Sequence, residues 1–200
     1  MSAVCIFIQI DSYNLHMIHI IQFGSTKTPH IAEMVNQCGF QTRITDWREF
    51  SHSDLHDAKA VIFSGSPTFL TEVDHAPYHE KFGWAKEGKL PVLGICFGHQ
   101  VMGILHGAKI FRGPAVRTSI PIRIVKQDVL LNGLGESTVM AEDHTEGITL
   151  PSSFIHLASS ADYTIEAMRH PVLPLFGVQF HPEVSGEKGL KVFENFLAGI

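Results

Sequence analysis

Strand-like segments alternate with helical patterns through the first half of the chain. The predicted strands cover residues 18–23, 41–45, 60–64 and 92–95. The predicted helices cover residues 29–38, residues 76–86 and the segment that follows Cys96. Three of the four strands are continuous apolar runs. Such strands are typical of a parallel sheet that is buried on both faces by the helices connecting its strands.

After about residue 109 the pattern changes to alternating apolar and polar positions. Residues 119–125, 154–158 and 164–168 alternate in this way and are separated by turn residues, which predicts a small antiparallel β insertion. An apolar strand over residues 176–180 then returns to the main sheet, and an amphipathic helix over residues 186–198 follows it. We therefore predict an α/β fold of three layers, with an open, mostly parallel sheet, helices on both faces and the antiparallel insertion.

The domain organisation is simple. The 200 residues suffice for one domain with a substantial core, and the sequence contains neither internal repeats nor an interdomain linker. We assign residues 17–200 to this single domain. Residues 1–16 form an N-terminal extension with a strand-like run of its own. That extension either adds an edge strand or precedes a natural translation start at Met17.

Composition argues against several classes of protein. Hydrophobic residues make up 44% and charged residues 18%, as in ordinary globular proteins. A net charge of −5 without a Lys/Arg cluster argues against nucleic-acid binding. The apolar stretch at residues 4–10 is too short to span a membrane and lacks the flanks of a signal peptide. Three widely spaced cysteines are typical of reduced thiols, so we expect a cytoplasmic enzyme without a membrane partner.

The junction at residues 91–100 carries the strongest chemical motif. It reads Pro-Val-Leu-Gly-Ile-Cys-Phe-Gly-His-Gln, so Cys96 stands between two glycines where a strand turns into a helix. This layout is typical of a nucleophile elbow, in which the turn is too tight for neighbouring Cβ atoms. A cysteine at a helix N-terminus is also favoured as a thiolate. We predict that Cys96 is a nucleophile.

A second motif supplies a base and an acid. The apolar strand near residue 180 ends at His181, and Glu183 stands two positions later. A histidine can accept the thiol proton, and a carboxylate behind it can hold the imidazole in its working tautomer. Cys96, His181 and Glu183 therefore form a candidate catalytic triad.

The other histidines suggest no metal centre. His52/His56 and His75/His79 have the i,i+4 spacing of helical zinc ligands, but neither a cysteine pair nor a His-Glu-x-x-His motif accompanies them. We interpret them as solvated helix faces and expect neither a metal ion nor a cofactor.

Residues 93–100 and 177–183 resemble the class I (triad) glutamine amidotransferases. The resemblance extends from residue 18 to the C-terminus, and further matching segments lie at residues 23–25 and 64–67. Within the family, residues 157–160 and 165–170 most resemble the amidotransferase subunit of GMP synthases. The resemblance implies a flavodoxin-like fold and hydrolysis of the side-chain amide of L-glutamine through a γ-glutamyl thioester on Cys96.

The resemblance also implies roles for other residues. The oxyanion donors would be the backbone N–H groups of Phe97 and Ser66. The implied substrate-binding residues are Gly65, Gln100, Asp143, His144 and Thr145.

Two departures from the family pattern touch this site. Ser66 replaces the second of two usual glycines, and its Cβ restricts the backbone movement that would aim its N–H. Residues 143–146 read Asp-His-Thr-Glu where the family has Ser-His-Gly/Met-Asp. We expect the charge of Asp143 to repel the substrate α-carboxylate and to weaken glutamine binding.

The sequence contains no recognisable segment that could use the ammonia. We therefore expect a separate synthetase partner, an ATP pyrophosphatase subunit that makes GMP from XMP. Two alternatives stay open. The chain could be a free-standing hydrolase or transferase of γ-glutamyl groups on another substrate, or a non-catalytic regulatory relative that kept the fold.

Overall fold

The computed structural model describes residues 16–200, and the predicted extension therefore lies outside the described residues except for His16. The strands are β1 (Met17–Gln22), β2 (Gln41–Asp46), β3 (Ala58–Phe63), β4 (Val92–Ile95), β5 (Ile110–Val116), β6 (Ser119–Ile124), β7 (Ser137–Ala141), β8 (His144–Ile148), β9 (Ile155–Ser159), β10 (Ala167–Arg169) and β11 (Leu175–Val178). The α-helices are α1 (Thr28–Gln37), α2 (Ala76–Phe82), α3 (Phe97–Leu105) and α4 (Gly186–Leu197).

Nine strands form one mixed sheet in the order β2-β1-β3-β4-β11-β10-β9-β6-β7. The first five strands in this order are parallel to one another, as in flavodoxin-like folds. The remaining four pair in antiparallel fashion. The predicted α/β class is confirmed. The antiparallel strands continue the main sheet, and only β5 and β8 form a separate two-stranded sheet.

Helices cover both faces of the sheet and create two apolar cores. On one face Ile20 packs in a cluster with Val35 of α1 and Phe193 of α4. On the other face Ile21 packs in a cluster with residues of α2 and α3 such as Val101. Successive residues of β1 thus pack into opposite cores, because successive side chains of a strand point to opposite faces of the sheet. No helix within residues 16–200 is long and apolar enough to cross a membrane.

The helix boundaries differ from the predicted ones in two places. The helix predicted over residues 76–86 is α-helical only to Phe82 and continues as a 3-10 helix over Gly83–Glu87. Helix α1 begins at Thr28, whose hydroxyl donates to the Ser25 carbonyl at 3.0 Å. Both differences lie at helix ends, where local hydrogen bonding competes with the helical pattern.

Candidate active site

The backbone at Cys96 has the conformation that the elbow motif predicts. Its φ of 51° is the only positive φ of a non-glycine residue in the described part of the chain, and its ψ is −105°. A Cβ at Gly94 would lie 2.5 Å from the Gly98 carbonyl oxygen, and a Cβ at Gly98 would lie 2.3 Å from the Phe63 carbonyl oxygen. The flanking glycines therefore permit the turn that places the Cys96 sulfur at the start of α3.

His181 and Glu183 lie close together behind this turn. Nδ1 of His181 is 2.7 Å from Oε1 of Glu183, and both side chains are buried. Since a carboxylate accepts and does not donate, Nδ1 carries the proton, and Nε2 is the nitrogen left for chemistry. Nε2 is buried and makes no well-aligned hydrogen bond to any described residue.

The electrostatics at His181 reflect its two partners. Burial alone would lower the pKa of His181, because it disfavours the charged imidazolium. The negative charge of Cys96, together with the hydrogen bond and negative charge of Glu183, opposes this effect and raises the pKa to about 10. The structure thus brings together the three residues of the predicted triad, because His181 contacts Glu183 and lines the same cavity as Cys96.

Sequence reasoning missed Gln179. This side chain is fully buried, and its Nε2 donates to the Cys96 sulfur at 3.5 Å. Its Oε1 accepts from Nε2 of Gln100 at 3.1 Å. The available signal was a glutamine in an otherwise apolar strand that leads to the catalytic histidine, since buried amides need partners.

A cavity of about 280 Å³ opens next to the Cys96 sulfur. Its lining includes most of the predicted site residues: Ser66, Cys96, Phe97, Gln100, Asp143, His144, Thr145 and His181. Gly65 lies behind the lining, and a Cβ at this position would come within 3.2 Å of Cε1 of His181. Glu183 is also outside the lining, because it sits on the far side of the imidazole from the sulfur.

The predicted oxyanion donors face this cavity from two elements. Phe97 is the first residue of α3, so its N–H has no partner within the helix. Ser66 follows β3, and its hydroxyl accepts from the Thr68 N–H at 3.0 Å. That contact closes a turn between two residues that line the cavity.

Gln100 lines the cavity with only part of its amide free. Its Nε2 donates to the Glu146 carbonyl at 2.9 Å as well as to Gln179. The carboxamide oxygen is the group left for a ligand. The side chain of Glu146 in turn accepts from the N–H groups of Leu70 at 2.7 Å and Thr71 at 3.0 Å, next to the cavity residue Phe69.

Asp143 is not an isolated negative charge. Nζ of Lys27 lies 2.6 Å from Oδ2, and Nε of Arg117 lies 4.0 Å from Oδ1. The hydrogen bond from Lys27 is the main reason that the pKa of Asp143 is lowered. All three side chains line the cavity. Two cations thus lie next to the Asp143 carboxylate at the cavity wall, and the expected repulsion of a substrate α-carboxylate stays a prediction.

The paired histidines of the sequence do not form a metal cluster. Nδ1 of His56 lies 3.0 Å from the Ser53 carbonyl oxygen, and Nε2 of His75 lies 2.8 Å from the Leu70 carbonyl oxygen. Within residues 16–200, the one group of three candidate metal ligands lies elsewhere and comprises Glu142, His144 and Glu166.

With the fold and the site in place, comparison with known proteins gives a consistent result. The family model described as "Glutamine amidotransferase class-I" matches residues 19–200. The A subunit of the glutamine-hydrolyzing GMP synthase of Methanosarcina barkeri is 42% identical over 140 residues, which are 68% of this chain and 71% of the relative. The corresponding protein of Pyrococcus abyssi is 34% identical over 188 residues, which are 90% of this chain and 96% of the relative.

Solved structures show the same fold. A protein of Thermoplasma acidophilum, provisionally assigned as the A subunit of a GMP synthase, superposes with a TM-score of 0.84 at 24% identity and covers 92% of this chain and 93% of its own. A glutamine amidotransferase of Thermotoga maritima superposes with a TM-score of 0.70 at 17% identity, covering 94% of this chain and 84% of its own.

The chain belongs to the class-I glutamine amidotransferase family and is an enzyme of that class. Within the family it is similar to the A subunits of GMP synthases.

Proposed function

We propose that the chain hydrolyses L-glutamine through a Cys96–His181–Glu183 triad. The Cys96 sulfur attacks the side-chain amide carbon, and the C–N bond breaks as the His181 imidazolium gives its proton to the departing ammonia. Water then attacks the γ-glutamyl thioester while His181 accepts a proton from it, which releases glutamate and restores the thiolate. Glu183 holds the imidazole and stabilises its charged form.

The single observation that carries this proposal is the arrangement around the imidazole. The 2.7 Å contact of Nδ1 with Glu183 leaves Nε2 without a hydrogen-bond partner, and the sulfur of the strained elbow lines the same cavity. The N–H groups of Phe97 and Ser66 would stabilise the oxyanion, and each such donor typically lowers the barrier by about 3 kcal/mol. The cavity of about 280 Å³ suits a substrate of amino-acid size.

We propose further that the ammonia is delivered to a separate synthetase subunit. The relatives named above are A subunits of a glutamine-hydrolyzing GMP synthase, which favours an ATP pyrophosphatase subunit that converts XMP to GMP. Such a partner would cover the cavity and keep the ammonia from protonation in bulk water. A cytoplasmic location follows from this pairing and from the reduced thiols expected of the sequence.

A glutaminase assay on the full chain tests both parts of the proposal. We expect the wild type to release glutamate from glutamine and the Cys96→Ala variant to lose at least about 10³-fold in kcat, because the nucleophile is gone. Cys38→Ala is the matched control, since Cys38 is a half-buried cysteine outside the cavity and should leave the rate unchanged. Equal rates for wild type and Cys96→Ala would refute the triad.

The same assay with a GMP synthase ATP pyrophosphatase subunit tests the partnership. Stimulated glutamate release coupled to GMP formation from XMP is the expected result. The alternative is a free-standing γ-glutamyl hydrolase or transferase. It would be identified if the rate of glutamate release is the same with and without the partner and if the chain also acts on γ-glutamyl amines or peptides.

A further inference from the structure

Three buried ionisable side chains meet beside the cavity. Glu142 directly follows β7, His144 begins β8, and Glu166 directly precedes β10. Their exposed fractions are 4%, 8% and 0%, respectively. One ligand atom from each can be chosen so that all three atoms lie within 4.8 Å of one another. Two carboxylates and an imidazole are thus excluded from water in one small volume.

The polar atoms of this cluster lack partners within the described residues. Neither oxygen of Glu142 nor of Glu166 has a hydrogen-bond partner, and Nε2 of His144 has none of good geometry. Buried polar groups without partners are rare in proteins because each costs free energy. One carboxylate oxygen of each glutamate and one ring nitrogen of His144 lie within 4.8 Å of one another, a spacing that suits the ligands of a single cation.

The orientation of His144 strengthens this argument. Its Nδ1 lies 2.9 Å from the Glu146 carbonyl oxygen, which can only accept a hydrogen bond. In the neutral ring Nδ1 therefore carries the hydrogen, and Nε2 presents a lone pair. Nε2 also lies 3.0 Å from Oε2 of Glu142, so the two atoms are close enough to bind one cation together. Histidine ligands of metals are commonly oriented by this kind of hydrogen bond from the second ring nitrogen to a backbone carbonyl.

We propose that Glu142, His144 and Glu166 bind a divalent transition-metal ion of the zinc class. One imidazole and two carboxylates are a ligand set that zinc accepts at about 2.0–2.2 Å, with a fourth position left for water. Magnesium and calcium fit less well, because they prefer six or more oxygen ligands, and this site offers two carboxylates and an imidazole nitrogen.

The site would tie the cavity wall to the main sheet. Glu142 and His144 flank Asp143, which lines the cavity with His144, whereas Glu166 belongs to the main sheet next to β10. The ring of Tyr163 packs 4.5 Å from that of His144 and covers the cluster. A bound ion would therefore hold the segment that carries Asp143 and His144 in place.

Calorimetric titration with zinc chloride tests the proposal on the full chain carrying Cys96→Ser, which removes the competing catalytic thiolate. After chelator treatment we expect one saturable zinc site per chain and a rise in Tm with zinc. Glu166→Gln conserves the size of the side chain but removes a charged ligand, and we expect it to weaken zinc binding at least about 10-fold. Glu187→Gln, an exposed glutamate of α4, is the control and should bind zinc as the parent does.

The proposal fails if the Cys96→Ser protein shows no saturable zinc binding, or if Glu166→Gln binds zinc as tightly as its parent. Either result would mean that Glu142, His144 and Glu166 do not form a zinc site. A Glu142→Gln variant repeats the test independently, so misfolding of one variant, detected by its circular dichroism, does not remove the readout. Because binding is measured without glutamine, the outcome does not depend on the proposed glutaminase activity.

Discussion

At the scale of single residues, the site depends on a strained cysteine. A positive φ at a non-glycine residue costs on the order of 1–3 kcal/mol and persists only where the surroundings impose it. At Cys96 the surroundings are the close contacts at Gly94 and Gly98, which leave the chain no other path into α3. The strain directs the sulfur toward the cavity and the imidazole of His181.

The pH dependence of activity should report on His181. Its pKa is raised to about 10, and the imidazolium is therefore lost only as pH rises through about 10. We expect kcat/KM to hold through neutral and mildly alkaline pH and to fall near pH 10. In the Glu183→Gln variant the fall in kcat/KM at alkaline pH should occur at a lower pH, because a neutral amide no longer stabilises the positive charge of the His181 imidazolium. If kcat/KM of Glu183→Gln falls at the same pH as that of the wild type, the proposed role of Glu183 is contradicted.

Glu183→Gln should also slow the reaction itself. Loss of the carboxylate allows the wrong imidazole tautomer, and we expect kcat to fall by about 10²–10⁴-fold with little change in KM. Steady-state kinetics measure the split between the two constants. Glu187→Gln removes an exposed glutamate of α4 and should leave both constants unchanged.

Residue positions in the candidate site were predictable where the motif is local in sequence. Cys96 stands between its glycines, and His181 stands two residues from Glu183, so each half of the triad could be identified from a short motif. The pairing of Lys27 with Asp143 joins residues 116 positions apart, and no local pattern indicates it. The contact of Gln179 with the sulfur depends in the same way on which strands become neighbours.

At the scale of elements, the tight packing of β4 against α3 positions the nucleophile. The N–H of Gly98 donates to the Ser64 carbonyl at 3.0 Å, which fixes the first turn of α3 against the end of β3. The Cys96 N–H donates to the Val178 carbonyl at 2.8 Å and thereby links the elbow to β11. Backbone hydrogen bonds from two neighbouring strands thus hold the elbow.

Gly98→Ala should disrupt this junction. The added Cβ would lie 2.3 Å from the Phe63 carbonyl oxygen, and backbone cannot move aside as a flexible side chain can. We expect a loss of at least about 1–3 kcal/mol in the free energy of unfolding, together with reduced activity. Urea unfolding measures the first effect. Gly83→Ala is the matched control because no atom lies within 4 Å of its added Cβ, so a loss as large as that of Gly98→Ala would contradict the packing argument.

Glu146→Gln tests how the loop beside the cavity is held. The carboxylate accepts from the Leu70 and Thr71 N–H groups, and the amide of a glutamine would turn a donor toward one of them. Hydrogen bonds to charged groups contribute about 1.5–3 kcal/mol, and we expect a comparable loss of stability with a raised KM for glutamine. An unchanged KM in a destabilised variant would show that the loop acts on stability alone.

The elements themselves were predictable to different degrees. The parallel half could be derived because each buried strand is followed by a helix, and this alternation restricts the topology. The position of the antiparallel strands in the sheet could not be derived. An alternating pattern indicates that one face of a strand is buried, but it does not indicate which strand lies beside it. Hence the three alternating segments were predicted as an insertion, whereas the strands that they form, β6, β9 and β10, extend the main sheet.

At the scale of the whole molecule, strand order brings the site together. Cys96 follows β4 and His181 follows β11, and these two strands are parallel neighbours. The loop with Ser66 follows β3, which pairs with β4 on its other side. Ligands of open α/β sheets bind at the carboxyl ends of the strands, and here three adjacent strands bring Cys96, His181 and Ser66, the proposed nucleophile, base and oxyanion donor, to that edge.

The most direct test of the central claim is labelling with an electrophilic glutamine analogue, followed by mass spectrometry of the intact and digested protein. The account predicts one adduct per chain, on Cys96, with free glutamine slowing its formation and Cys96→Ala abolishing it. A folded protein that forms no adduct, or that is modified at Cys38 and not at Cys96, would contradict the account.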